Sequence, residues 1–161
     1  MAVDSGNKMT LLVVTPYKNF YEGEVSSVTI PTPEGEIGIL AGHSPLVVAL
    51  EPGVCMVRVG EDVKHFTCSE GYAEIGQKKI IMVCNSAEWP ETIDLIVVFE
   101  SYNIAKEKLS ENSDIPKDDY EIRKDYERSL ARAKSRIHMI ELYGDDKQQK
   151  RLSEFKQRYG L

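Results

Sequence analysis

Two different rhythms of apolar residues divide this chain near Pro90. Before it, short β-branched runs alternate with turn signals: Leu11 to Val14 stops at Thr15-Pro16, Val25 to Ile30 at Pro31, and Leu46 to Leu50 at Glu51-Pro52-Gly53. Ile37 to Leu40, Cys55 to Val59, Val63 to Cys68, Tyr72 to Ile75 and Ile80 to Cys84 continue the series. Gly60-Glu61-Asp62 and Gly76-Gln77-Lys78 read as hairpin connections. Many short strands at close spacing, with no helical period between them, predict an antiparallel sandwich or barrel.

After Pro90 the period lengthens. Tyr126, Leu130, Ala133, Ile137 and Ile140 form one stripe of an α-helix. Asp114-Ile115-Pro116 supplies its start and Gly144 its stop. Asp118, Asp119, Glu121 and Asp125 come early and Arg128, Arg132, Lys134 and Arg136 late, in the order that complements the helix dipole. Leu95, Val98, Phe99, Tyr102, Ala105 and Leu109 form a second stripe, with Thr92 as its cap. The β-branched run Leu95 to Phe99 also fits a strand, but length and the following Ala-Lys-Glu-Lys-Leu favour helix. Joined by Ser110 to Asp114, the two helices make an antiparallel hairpin. The polar stretch Asp145 to Tyr159 carries Leu152, Phe155 and Tyr159 at helical spacing; it either extends the second helix past Gly144 or frays. The expected domains are a β-sandwich over 1–90 and a helical hairpin with a polar extension over 91–161.

Composition narrows the partners. A formal net charge of −6 argues against nucleic acid, whose phosphates need a clustered cationic surface. No apolar run approaches the roughly 20 residues that span a bilayer, and MAVDSGNKMT lacks the basic-then-apolar order of a signal peptide. The expected location is therefore cytoplasmic, without membrane insertion. Cys55, Cys68 and Cys84 each sit inside a strand-like apolar run and read as reduced, buried thiols. His43, His65 and His138 form no ligand-spaced cluster, so no metal is expected.

The densest local signal is Pro33-Glu34-Gly35-Glu36-Ile37-Gly38-Ile39-Leu40-Ala41-Gly42-His43-Ser44-Pro45-Leu46, a glycine-punctuated strand with a loop on each side. It lacks the lysine and following helix of a phosphate loop. His43 and Ser44 are adjacent, with no carboxylate placed to orient them, and adjacent residues do not make a catalytic triad.

Gly35 to Leu46 resembles the G-E-[IL]-G-[IL]-x-x-G-H-x-P-[LM] signature of the epsilon subunit of F-type ATP synthases, the subunit called delta in mitochondria. Leu11 to Pro16, Glu22 to Val25, Pro52 to Val54 and Ser69 to Ile75 fit the same pattern, departing at Glu70, where glycine is common. Ala87 to Asp94 resembles the family's hinge and Ala131 to Leu142 its second helix. The resemblance covers roughly residues 10 to 143.

The resemblance implies a ten-stranded flattened barrel, a two-helix C-terminal domain and no catalysis. It implies a rotor role in proton-driven ATP synthesis, on the cytoplasmic face of a bacterial membrane. The implied partners are the gamma subunit, the ring of c subunits and the alpha/beta catalytic head. It places Glu36 on the loop facing the c ring and His43 near gamma; without it, Glu36 is an ordinary solvated carboxylate. Arg128, Arg132 and Arg136 recur every four residues, either as a solvated face or as the row that reaches acidic loops on the catalytic subunits to block ATP hydrolysis. Some relatives bind ATP through I-D-x-x-R-A on the first helix and arginines on the second. This chain keeps Ile93, Asp94, Arg132 and Arg136 but has Val97 and Val98 in place of the motif's Arg and Ala. No cofactor is expected, and ATP binding should be weak or absent. Two rival readings are a stand-alone β-sandwich ligand-binding module that dimerises through its hairpin, and a small hydrolase using His43 and Ser44.

Overall fold

The computed structural model describes residues 7–111 and 113–161. Residues 1–6 of the expected first domain, which hold part of the N-terminal stretch read for a signal, and residue 112 of the expected connector lie outside the described residues. The chain divides into two compact units between Trp89 and Pro90.

The first unit holds ten strands: β1 Met9–Thr15, β2 Lys18–Val25, β3 Ser27–Thr32, β4 Gly35–Leu40, β5 Leu46–Leu50, β6 Gly53–Val59, β7 Asp62–Cys68, β8 Gly71–Ile75, β9 Lys79–Cys84 and β10 Ala87–Glu88. They form two five-stranded sheets, ordered β2-β1-β9-β8-β5 and β10-β7-β6-β3-β4. All pairings are antiparallel except β1 with β9.

Alternation explains the core. Leu11, Val13, Ala73, Ile75, Ile80 and Met82 are buried in the first sheet, and Val28, Ile30, Ile39, Cys55, Val57 and Phe66 in the second. Cys55, Cys68 and Cys84 are buried, unbridged thiols. Burial first, and then Cys68 beside it, raises the Cys84 thiol to about 12; the same causes raise Cys55. Phe20 stacks on Trp89 at 4.9 Å, and both rings contact Phe66.

The run Val25 to Ile30, expected as one strand, breaks at Ser26. Its N–H and hydroxyl both donate to the Arg58 carbonyl, at 2.9 and 3.1 Å. That bond turns the chain out of the first sheet and into the second. The strand β2 itself had no alternation to reveal it, because most of its residues are exposed or half-buried at a sheet edge.

The second unit opens with a single 3-10 turn at Pro90–Thr92, followed by α1 Leu95–Lys108, α2 Tyr120–Tyr143 and α3 Asp146–Tyr159. Thr92 lies in that turn and does not cap α1. Asp94 does, accepting from the Ile96 N–H at 2.9 Å. Ile93 before the cap and Val98 in the first turn are both buried, the pairing of a hydrophobic staple. The helix expected from Asp114-Ile115-Pro116 starts later, at Tyr120, because Asp119 supplies the capping carboxylate to the Ile122 N–H.

The polar tail neither extends α2 nor frays. The chain leaves α2 at Gly144 in an extended conformation, in which a side chain would come within 2.6 Å of the Ile140 carbonyl oxygen, so the position calls for glycine. Asp145 then starts α3 through a capping box with Gln148. The helical unit therefore has three helices where a hairpin and extension were expected.

Candidate functional site

The strand β4 is an edge of the second sheet and β5 an edge of the first, and the loop 41–45 joins them. Both ends of β4 depend on glycine: Gly35 has φ 116° at the β3–β4 turn and Gly42 has φ 84° in the loop, conformations that side chains resist. Thr32 locks the turn by donating to the Gly35 carbonyl at 2.6 Å while its Oγ1 accepts from the Glu34 N–H.

Glu36 pairs with Pro31 immediately after this turn and is exposed. Gly38, two residues on and on the same face, has open space around it. The carboxylate therefore stands beside bare strand backbone. At the other end of β4, the Gly42 N–H donates to the Gln77 carbonyl at 2.7 Å and the His43 N–H to the Leu40 carbonyl at 3.2 Å. The His43 ring Nδ1 lies 2.7 Å from the Ser44 carbonyl oxygen. A carbonyl only accepts, so Nδ1 carries the proton and Nε2 faces outward as an acceptor when the ring is neutral. Nδ1 bonds the Ser44 backbone and not its hydroxyl, which is not the geometry of a nucleophile and its base. Glu36 and His43 are thus held at opposite ends of one strand, as two separate points of contact.

The outer face of the first sheet adds residues that the sequence reading had not singled out. Register places Val14, Val83, Tyr72 and Ala49 in one cross-sheet row and Leu12, Ile81, Glu74 and Val47 in the next. Val47 is 67% exposed and Tyr72 49% exposed, and Leu40 and Leu46 flank the His43 loop as further exposed apolar side chains. A sheet whose second face is also apolar is one made to be covered. The sequence signal was present: Leu46 to Leu50 is apolar without a break, whereas a strand facing water alternates.

The arginine row on α2 is not uniform. Arg128 is exposed and bonds Asp125 one turn earlier at 3.3 Å. Arg132 and Arg136 are half-buried. Burial, and secondarily the like charge of Arg136, lowers the Arg132 pKa.

Ile93 and Asp94 line a cavity of about 420 Å³ at the start of α1. Its cations are Lys147 and Arg151 from α3, and Arg132 and Arg136 are not among its lining residues. The Asp94 carboxylate is committed to capping α1. Val97 is exposed and Val98 buried in α1.

The chain matches the ATP synthase delta/epsilon chain beta-sandwich domain over residues 8–90. An ATP synthase epsilon chain of Clostridium novyi is 36% identical over 132 residues, covering 81% of this chain and 95% of the relative. One from Caldicellulosiruptor saccharolyticus is 31% identical over 131 residues, covering 81% of this chain and 92% of the relative. The fold is shared with a chain in a structure of the Euglena gracilis mitochondrial ATP synthase, at TM-score 0.66 and 24% identity, over 80% of this chain and 78% of that one. With the sandwich matched end to end and relatives covered almost whole, the chain belongs to the delta/epsilon family of ATP synthase subunits, as a non-catalytic stalk subunit of the epsilon type.

Proposed function

We propose that this subunit couples the rotation of a c-subunit ring to ATP synthesis by clamping the ring to the gamma subunit, and that its helical unit brakes ATP hydrolysis. The observation that carries the coupling reading is the apolar outer face of the first sheet, continued by Leu40 and Leu46 around the His43 loop. We assign that face and His43 to gamma, and Glu36 with the bare β4 backbone to the ring. The complex sits on the cytoplasmic face of a bacterial membrane and moves protons. This subunit attaches peripherally, and among its described residues no helix is long and apolar enough to cross a membrane.

In the brake reading, the helical unit is a two-state element whose forms differ by a few kcal/mol. Arg128, Arg132 and Arg136 reach acidic loops of the alpha/beta head in the active form. ATP is a poor ligand for the α1 start, because Val97 stands where the motif's arginine would meet the phosphates and Val98 adds apolar bulk in place of alanine. Titrating the subunit with ATP should show no micromolar binding.

The coupling reading is tested by binding purified gamma to wild type and to Val47→Asp. A charge buried without a partner at an interface costs several kcal/mol, so affinity should fall about a hundredfold or more. Equal affinity would remove gamma from this face. The brake is tested by adding full-length subunit, or subunit truncated after Glu91, to the catalytic head; equal hydrolysis rates would remove it and leave coupling standing.

A further inference from the structure

The helix α3 carries one fully buried residue, Leu152, and two aromatic side chains, Phe155 and Tyr159, on an otherwise polar surface, and it closes over the two helices before it. Phe99 of α1 is covered by both α3 aromatics. Its ring lies 4.7 Å from Phe155 and 5.8 Å from Tyr159, within 15° and 12° of parallel. At the start of α3, the Gln148 side chain donates to the Pro90 carbonyl at 2.8 Å, and Gln149 reaches the Gly144 carbonyl at 3.2 Å. Lys156 pairs with Glu141 of α2. One short helix thus touches the turn before α1, the middle of α1 and the end of α2.

The contacts are few and specific. An isolated helix of this length is marginal in water, so α3 is helical mainly because it is docked. Its grip comes from stacked rings, one aliphatic side chain, one ion pair and the Gln148 hydrogen bond to the Pro90 carbonyl, a set able to form and release without rebuilding a core.

We propose that α3 is a strap that holds α1 and α2 closed on each other, so that the helical unit reaches its braking form only after the strap lets go. The control element rests on the brake reading above; the strap itself does not. Release uncovers Phe99 and frees Glu141, which ties the hairpin's opening to the loss of α3 contacts. The strap makes this subunit a weaker inhibitor than its α2 arginines alone would make it.

The test uses full-length protein with Phe155→Ala, and separately Lys156→Glu, which changes only partly exposed groups. Amide hydrogen exchange is followed in α1 between Val98 and Ala105, with β8 and β9 as internal standards for an intact sandwich. Exchange in α1 should rise about tenfold in Phe155→Ala and less in Lys156→Glu, with the strands unchanged. Unchanged α1 exchange in both variants overturns the strap. Added to the catalytic head, Phe155→Ala should inhibit hydrolysis more strongly than wild type, lowering the residual rate about twofold or more. Faster α1 exchange with the same residual rate, where wild type does inhibit, overturns its control of the brake. If wild type and the truncation after Glu91 leave the head equally active, the brake reading fails, and α1 exchange still decides the strap.

Discussion

Gly71 on β8 lies so close to Val83 on β9 that a methyl group there would overlap the Val83 carbonyl oxygen and come within 2.8 Å of the Cys84 Cα. Both obstacles are backbone, which cannot rotate away as a side chain would. Gly71→Ala must therefore push β8 and β9 apart, at a cost of about 1–3 kcal/mol or more. Gly38→Ala on β4 meets open space and should be neutral or slightly stabilising. Urea unfolding of the two variants should separate them clearly, and equal midpoints would show that the β8–β9 contact yields easily.

The three thiols give a second expectation. Cys55, Cys68 and Cys84 are each at most 3% exposed, and burial raises the Cys55 and Cys84 thiols well above reactive range. Iodoacetamide at neutral pH should label none of them in the folded protein and all of them after unfolding. Rapid modification of any one in native conditions would mean that the sandwich opens locally near β6, β7 or β9.

The helix caps should differ in cost. Asp94→Ala removes one bond to the Ile96 N–H and should lose about 1 kcal/mol. Asp145→Ala removes half of a capping box whose other half is Gln148, and Gln148 also holds the Pro90 carbonyl. Its loss should therefore fall on α3 as a unit, seen as faster amide exchange from Asp146 to Tyr159. Equal protection in wild type and Asp145→Ala would show that side-chain packing alone holds α3.

Much of this was legible beforehand, for identifiable reasons. Strands such as β1 and β9 stood out as short apolar runs bounded by turn signals, and Tyr126 to Ile140 repeats as α2 requires. The short β10 was hidden because it has only two residues. The break at Gly144 was ambiguous as spacing, although Asp145-x-x-Gln148 is a capping box written in the sequence. Glu36 and His43 were visible only through a family motif, since an exposed carboxylate and a loop histidine carry no periodic signal. The rows Val14–Val83–Tyr72–Ala49 and Leu12–Ile81–Glu74–Val47 depend on register between strands far apart in sequence, which no local pattern states.

Acid should loosen the end of the helical unit. The Lys156 ammonium, and then the bond to His138, hold the Glu141 carboxyl below its usual 4.5. A depressed carboxylate pKa contributes stability that is present above pH 4.5 and is lost as pH falls through the lower folded value. Both partners are about a third exposed, so the effect is screened and stays below about 1 kcal/mol. Between pH 5 and 3, roughly the range of carboxylate titration, α3 exchange should quicken in wild type. In Glu141→Gln it should be faster at neutral pH and show less of this acid step. An identical acid step in both proteins would assign it to another carboxylate.

Ser135 offers the opposite kind of change, a stabilising one. It is 8% exposed on α2, and its hydroxyl is the buried side-chain atom without a hydrogen-bond partner among the described residues. An unpaired buried hydroxyl costs about 1–3 kcal/mol of desolvation, which alanine avoids at almost the same volume while also raising helix propensity. Ser135→Ala should therefore raise the urea midpoint of the full-length protein, by about 1 kcal/mol of stability. If the helical unit must change form to brake the head, stabilising its present form should also reduce inhibition of hydrolysis in the same reconstitution. A Ser135→Ala protein that is no more stable than wild type would mean that the hydroxyl finds a partner in solution, an internal carbonyl or a water. Greater stability with unchanged inhibition would mean that α2 keeps the Ser135 environment in both forms.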